Sequence, residues 1–169
     1  FTGEGGGDKF GGRIDAGDLN GDGYCDLAVS ASGFPGGLNA GKIYVFTGST
    51  NSIGTQSAGS VLAKISGEQN ADSFGSSVFV TDLNADGFAE LAVGAFGHNA
   101  GANFGRAYVF QSDGPNGIIT QNAMSATSIF SGSSGTDRLG LNLTAGYFST
   151  GLKKDLIARG NLSGNTGGI

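Results

Sequence analysis

Two stretches decide how this chain is read: Asp18-Leu19-Asn20-Gly21-Asp22-Gly23-Tyr24-Cys25-Asp26-Leu27-Ala28-Val29 and, 64 positions later, Asp82-Leu83-Asn84-Ala85-Asp86-Gly87-Phe88-Ala89-Glu90-Leu91-Ala92-Val93. Each opens with alternating oxygen-bearing residues and closes on a short apolar run. The oxygens fall at loop positions 1, 3, 5 and 9, with glycine at 6. Calcium takes six to eight oxygen ligands in flexible geometry, and a loop that alternates ligand and non-ligand residues can wrap it. Glycine at position 6 permits a sharp turn, so that the position 7 carbonyl, that of Tyr24 or Phe88, can face inward. The expected ligands are therefore Asp18, Asn20, Asp22, Tyr24 and Asp26 in the first loop, and Asp82, Asn84, Asp86, Phe88 and Glu90 in the second. Two Ca2+ sites follow.

Other ions and other loops fit less well. Magnesium prefers strict octahedral geometry with few protein ligands, and zinc or copper would want His or Cys at ligand positions. An EF-hand loop needs a bidentate glutamate at position 12 and flanking helices. Position 12 is Val29 in one copy and Val93 in the other, each inside a β-like run. A bare Asx-rich turn would explain one copy. It does not explain two with the same ligand spacing.

The likeness extends beyond the loops. Residues 8–46 align without gaps on 72–110. They share Asp-x-Phe-Gly (Asp8 to Gly11, Asp72 to Gly75) and Tyr-Val-Phe (Tyr44 to Phe46, Tyr108 to Phe110). A weaker third copy has Asp137-Arg138-Leu139-Gly140 and Asp155-Leu156-Ile157-Ala158. The chain thus divides into units 1–64, 65–129 and a partial, degenerate 130–169. Strands are expected near Gly12 to Ala16, Leu27 to Ala31, Lys42 to Thr47 and Val61 to Ile65, and no window carries a capped helical period. Four strands per unit suit a propeller blade, which must stack on neighbours to bury both faces. Two and a half units cannot close a ring of typically four to eight blades, so a segment of a larger ring is expected.

Composition agrees. Glycine supplies 34 of 169 residues, proline 2, and tryptophan is absent. With no collagen period and with clustered apolar runs, this describes a turn-rich, all-β domain. A net charge of −5 gives no nucleic-acid footprint. No run approaches the roughly 20 apolar residues of a membrane span. No signal peptide is visible and the sequence begins with Phe1 rather than methionine, so a mature, processed or partial chain is expected.

In the third copy the ligand positions hold Tyr147, Ser149, Gly151 and Asp155, beside Lys153 and Lys154. That loop is expected to be metal-free, with a lysine ammonium near Asp155 taking part of a cation's place. His98 is expected to be a solvated loop histidine and Cys25 a small buried thiol. No catalytic constellation surrounds either, so no enzymatic role is expected. The Tyr-Val-Phe runs read as core, and Gly3 to Gly7 lacks the Lys-Ser/Thr of a phosphate loop.

These motifs resemble the FG-GAP repeat, the blade unit of the integrin α-subunit β-propeller and its bacterial relatives. Phe10-Gly11 and Phe74-Gly75 match the Phe-Gly element, and the two acidic loops match that family's calcium loop. The Gly-Ala-Pro element departs, appearing as Ser30-Ala31-Ser32 and Gly94-Ala95-Phe96. The resemblance implies a calcium-binding, non-enzymatic recognition or adhesion module, extracellular or at the cell surface. Its implied partners are the remaining blades, of the same or neighbouring chains, and a protein or glycan ligand. The alternatives are an accessory propeller of a secreted hydrolase or phospholipase-type enzyme, or a component of an extracellular assembly.

Overall fold

The computed structural model describes residues 1–50, 54, 56–61, 63–99, 104–133 and 137–160. Leu62 in the expected fourth strand, Ala100 in the His98 loop and residues 161–169 of the third unit lie outside them. The first sheet begins with β1 (Phe10–Gly17), β2 (Asp26–Ala31), β3 (Lys42–Phe46) and β4 (Ala63–Ser66). The second contains β5 (Ser77–Thr81), β6 (Glu90–Ala95) and β7 (Arg106–Phe110). A short β8 (Gln121–Asn122) adds to the first sheet in parallel with β4, and β9 (Ser128–Ser131) completes the second. The third sheet is the pair β10 (Asn142–Gly146) and β11 (Asp155–Arg159). Four antiparallel strands in chain order make each of the first two sheets a propeller blade. The ring is open in this segment. β4 and β9 extend to Ser66 and Ser131, just past the sequence boundaries at 64 and 129.

The described residues contain no α-helix, only single 3₁₀ turns at Ala58–Ser60, Gly114–Asn116 and Ala123–Ser125. None of these is long and apolar enough to cross a membrane.

Alternation along the strands divides the core. In β3, Tyr44 and Phe46 point to one face, where they pack with Val29 and Ala31. Ile43 and Val45 point to the other, with Ala28 and Ile65, and meet Leu91, Val93, Tyr108 and Phe110 of the second blade. One face of blade 2 is therefore buried on the opposite face of blade 1. The Tyr-Val-Phe runs are core, as their strand spacing implies. The Phe-Gly phenylalanines serve the same purpose in both blades: Phe10 meets Tyr44 edge-on at 5.5 Å, and Phe74 meets Tyr108 at 5.4 Å. Fully buried Phe74 would cost about 3–5 kcal/mol if truncated to alanine.

Close backbone contacts set the stagger of the blades. Phe74 N–H donates to the Ala40 carbonyl, and Leu139 N–H to the Phe104 carbonyl. Each blade's entry turn thus sits on the glycine that precedes the previous blade's third strand. Gly41 and Gly105 have φ of 90° and 73°, and a Cβ on either would strike Phe74 or Leu139 backbone. The inner strands β1, β5 and β10 pack in succession, so the acidic loops that leave β1 and β5 are brought side by side at one end of the blades.

Candidate metal centre

Each acidic loop joins the first strand of its blade to the second, β1 to β2 and β5 to β6. The antiparallel register pairs Gly17 with Asp26 and Thr81 with Glu90, so positions 1 and 9 start close together. Asp18 closes the first loop on itself: its two oxygens accept from the N–H groups of Gly21 at 2.6 Å, Asp22 at 3.1 Å and Gly23 at 2.8 Å. Asp82 does the same with Ala85 at 2.7 Å and Gly87 at 3.1 Å. Position 6 is left-handed in both, with Gly23 at φ 85° and Gly87 at 91°. The expected sharp turn is there.

Positions 3 and 5 are tied to each other. The Asn20 amide donates to Asp22 Oδ2 at 3.1 Å, and the Asn84 amide to Asp86 Oδ2 at 2.8 Å. In the second loop the same Asn84 nitrogen also reaches Glu90 Oε1 at 3.2 Å. Two carboxylates therefore converge on one N–H₂ donor. A position that draws two anions onto one partial positive charge is also suited to a full one.

Position 9 has a different character. Asp26 is buried; Oδ2 accepts from Leu19 N–H at 3.0 Å and Oδ1 from Gly48 N–H at 2.8 Å. Glu90 is buried too and accepts from Leu83 N–H at 2.8 Å. Burial pushes both carboxyls above their ordinary range. The N–H bonds from Gly48 and Leu19 to Asp26, and from Leu83 and Asn84 to Glu90, oppose this, while the neighbouring acids, Asp22 and Asp18 or Asp86 and Asp82, add to it. Asp86, at the exposed tip, is held below the usual range by the Phe88 N–H. A cavity of about 90 Å³ lies beneath the first loop, with Asn20, Asp26, Thr47 and Asn116 among its lining residues.

Among the described residues no three Asp, Glu, His or Cys side chains stand together closely enough to hold an ion by themselves. The donor set nonetheless fits a hard cation in its chemistry. It is all oxygen, supplied by three carboxylates, an amide and the position 7 carbonyl, and the one buried acid of each loop, Asp26 or Glu90, is repelled by the other two. Holding an ion would require Asn20 or Asn84 to exchange its present donor contacts for an oxygen contact.

The third copy follows the same path with other groups. Asp155 Oδ2 accepts from Phe148 N–H at 3.2 Å, and from the N–H and hydroxyl of Ser149, both at 2.9 Å. Those bonds, the Ser149 hydroxyl foremost, hold its carboxyl below the usual range. The expected lysine is not beside it: among the described residues no ion pair joins Asp155 to Lys153 or Lys154. Lys154 turns toward blade 2, where Nζ donates to Thr81 Oγ1 at 2.6 Å and its N–H to the Leu83 carbonyl at 2.9 Å. The Ser149 hydroxyl already satisfies the acid, leaving the ammonium free to brace the preceding loop.

Two further expectations are corrected. Cys25 is exposed rather than buried. Its counterpart Ala89 is covered because its N–H donates to the Asp18 carbonyl of the preceding blade at 2.8 Å, and no described blade precedes the first. His98 is buried rather than solvated, with Nδ1 3.2 Å from the fully buried Asp72 Oδ2. Burial raises the Asp72 carboxyl, and His98 opposes this.

Sequence reasoning also passed over the first residue of Asp-x-Phe-Gly. Asp8 accepts from Gly5 and Phe10 N–H, Asp72 from Gln69 N–H and Asp137 from Ser133 N–H. This aspartate fastens the turn that starts each blade. Its appearance in all three copies, including the degenerate one, was the available signal.

Comparison with known proteins places these features. The family model described as FG-GAP repeat matches twice, at residues 10–46 and 74–110. The chain is 39% identical over 94 residues to phosphatidylinositol-glycan-specific phospholipase D of Bos taurus and 37% identical over 94 residues to that of Homo sapiens. It is 33% identical over 99 residues to the Dictyostelium discoideum protein of the same name. These matches cover 52%, 52% and 51% of this chain, but only 11%, 11% and 10% of the respective relatives. The chain spans about a tenth of the length of the curated relatives it matches.

Proposed function

We propose, from the premise that this chain is built of FG-GAP repeats folded as adjacent propeller blades, that it is a calcium-stabilised, non-enzymatic recognition module of an extracellular or cell-surface protein. The observation that carries the reading is the duplicated loop. The same donor series is folded the same way in two neighbouring blades, while the third copy keeps the path, loses the donors and closes on a serine hydroxyl.

Asp18, Asn20, Asp22, the Tyr24 carbonyl and Asp26 would hold one ion, and Asp82, Asn84, Asp86, the Phe88 carbonyl and Glu90 the other. When bound, the cation would supply positive charge that offsets the burial and, secondarily, the acid–acid repulsion that now raise Asp26 and Glu90. The chain's own residues do the rest. Asp18 and Asp82 order the loop backbone through its N–H groups, and Asp26 and Glu90 close the loop at its base. The tips are left exposed to solvent, from which an ion would be taken. Modules outside cells bind calcium with Kd of about 10⁻⁴–10⁻³ M. Loops of this kind suit such a setting. Further blades, from the same or a neighbouring chain, would complete the ring, and a protein or glycan would be its ligand.

Thermal unfolding with and without a chelator tests the proposal. Ten-fold saturation of one site contributes about 1.4 kcal/mol, so calcium should raise Tm by several degrees. Identical melting in both conditions would refute it.

A second reading has its own support. The relatives are named as phospholipases, and the matched tenth of each is similar to this chain. The module could therefore serve as the propeller beside a catalytic domain of a phospholipase-type enzyme. Catalytic activity from a longer chain that contains these residues, and none from these residues alone, would favour it.

A further inference from the structure

Opposite the acidic loops, at the other end of β1, lies a cavity of about 240 Å³ on the seam between the first two blades. The eight-residue strand sets it on the order of 25 Å from the proposed cation loops. Blade 1 contributes Lys9, Arg13 and Ser32 to its lining, and blade 2 contributes Ser73, Ser76 and Phe96. No carboxylate lines it. Arg138, from the third unit, stands 5.9 Å from the centre of the Phe96 ring.

In a chain of net charge −5 this concentration of cations needs an account. Elsewhere the basic side chains of the blades are paired: Lys42 and Lys64 with Glu4 at 3.5 and 3.4 Å, and Arg106 with Glu68 at 2.8 Å. Among the described residues, Lys9 and Arg13 are the basic side chains of the two blades without a carboxylate partner, and Arg138, like Lys153, Lys154 and Arg159 of the third unit, also lacks one. The Arg13 guanidinium donates to the carbonyl of its neighbour Gly12.

The backbone presents these groups deliberately. Lys9, Ser73 and Arg138 all occupy the second position of the entry turn, with φ of 57°, 52° and 48°. The left-handed conformation belongs to the repeat, since it recurs whatever side chain is present. Lysine and arginine gain nothing there that glycine or asparagine would not supply at lower cost. Arg13 is displayed by a second device. The pairing of β1 with β2 slips between Phe10 and Ile14, a bulge that takes Arg13 out of the regular ladder and gives its N–H to Ser30 Oγ. Bulges commonly re-aim side chains in this way.

Lysine and arginine flanking serine hydroxyls, here Ser32 and Ser73, recognise oxyanions, arginine by its planar fork of donors. The Phe96 ring adds an apolar wall suited to the C–H face of a pyranose. We propose that this cavity binds an acidic sugar, with its oxyanion between Lys9 and Arg13 and its ring against Phe96. The proposal is independent of calcium occupancy.

Amide NMR shifts of Gly12, Gly75 and Ser76 in the 169-residue chain read the site. Titration with glucuronate and with glucose 6-phosphate should move them saturably, with chelator present or absent, while neutral glucose should not. Lys9→Gln/Arg13→Gln, at exposed positions, should keep the remaining spectrum and weaken both ligands at least tenfold. Phe96→Ala should weaken the sugars about threefold and leave inorganic phosphate unchanged. The proposal fails if no saturable shift occurs, or if the Lys9/Arg13 double variant binds as well as the parent. It also fails if inorganic phosphate binds as tightly as glucose 6-phosphate, which would remove the sugar ring from the argument.

Discussion

The loop of the third unit and the two acidic loops before it trace the same path between equivalent strands, yet their position 9 carboxylates sit in opposite electrostatic states. In all three the acid accepts from the position 2 N–H: Asp26 from Leu19 at 3.0 Å, Glu90 from Leu83 at 2.8 Å and Asp155 from Phe148 at 3.2 Å. That bond is therefore a structural closure that the repeat retains with or without a full donor set. What differs lies at positions 1, 3 and 5. Asp26 and Glu90 are pushed up first by burial, with the acids at positions 1 and 5 adding to it; Asp155 is held down by the Ser149 hydroxyl and N–H. Position 9 closes the loop in every copy, and the donors at positions 1, 3 and 5 are what the two acidic loops add toward the proposed site.

The largest effect that would break this division comes from position 9. Asp26→Ala leaves the Leu19 and Gly48 N–H groups without their partner, a loss of about 2–3 kcal/mol with or without calcium. Denaturant unfolding in both conditions measures it. A loss confined to the calcium-loaded protein would make Asp26 a ligand alone and erase the distinction.

Position 5 should behave in the other way. Asp22→Ala or Asp86→Ala should cost about 1.4 kcal/mol in calcium at tenfold saturation and little in chelator. Scanning calorimetry would show Tm falling by about 3–5 °C in the first condition only. An equal fall in both would assign these acids to the fold rather than to an ion.

The smallest effect is a pH dependence whose sign differs between the position 9 acids. Asp26 and Glu90 have raised folded-state values, so their contribution is present below the unfolded value and lost as pH rises through the folded one. Metal-free protein should thus hold or gain stability as pH is lowered from neutral toward about 4. Asp155 is depressed: its contribution is present above the unfolded value and lost as pH falls through the folded one, so it declines only in stronger acid. With calcium bound, acidification should destabilise at once, because protons compete for the same oxygens. Melting across pH in chelator and in calcium distinguishes the curves; parallel curves would contradict the account.

Much of this architecture was legible from the residues because the repeat carries its own control. Two copies of Leu-Ala-Val and Tyr-Val-Phe fix the central strands, and β2 and β3 lie where those runs predict. The loop turn was legible from the glycine at position 6. What could not be read was anything decided by the neighbouring blade. Cys25 and Ala89 share a position, but among the described residues only Ala89 has a preceding blade packed on it. His98 is buried by Asp72, 26 residues away in sequence and in another turn of the same blade. Lys154 lies beside Asp155 in the chain and instead braces Thr81, because the seam brings that hydroxyl within reach. Local spacing specifies strands and loops; side-chain partners across a seam depend on how blades stack.

Calorimetric titration of chelator-stripped protein with calcium tests the central claim most directly. The account predicts two sites per chain, one lost in Asp22→Ala and both lost in Asp22→Ala/Asp86→Ala, with no third site at residues 147–155. Absence of saturable heat, or two sites that persist in the double variant, would contradict it.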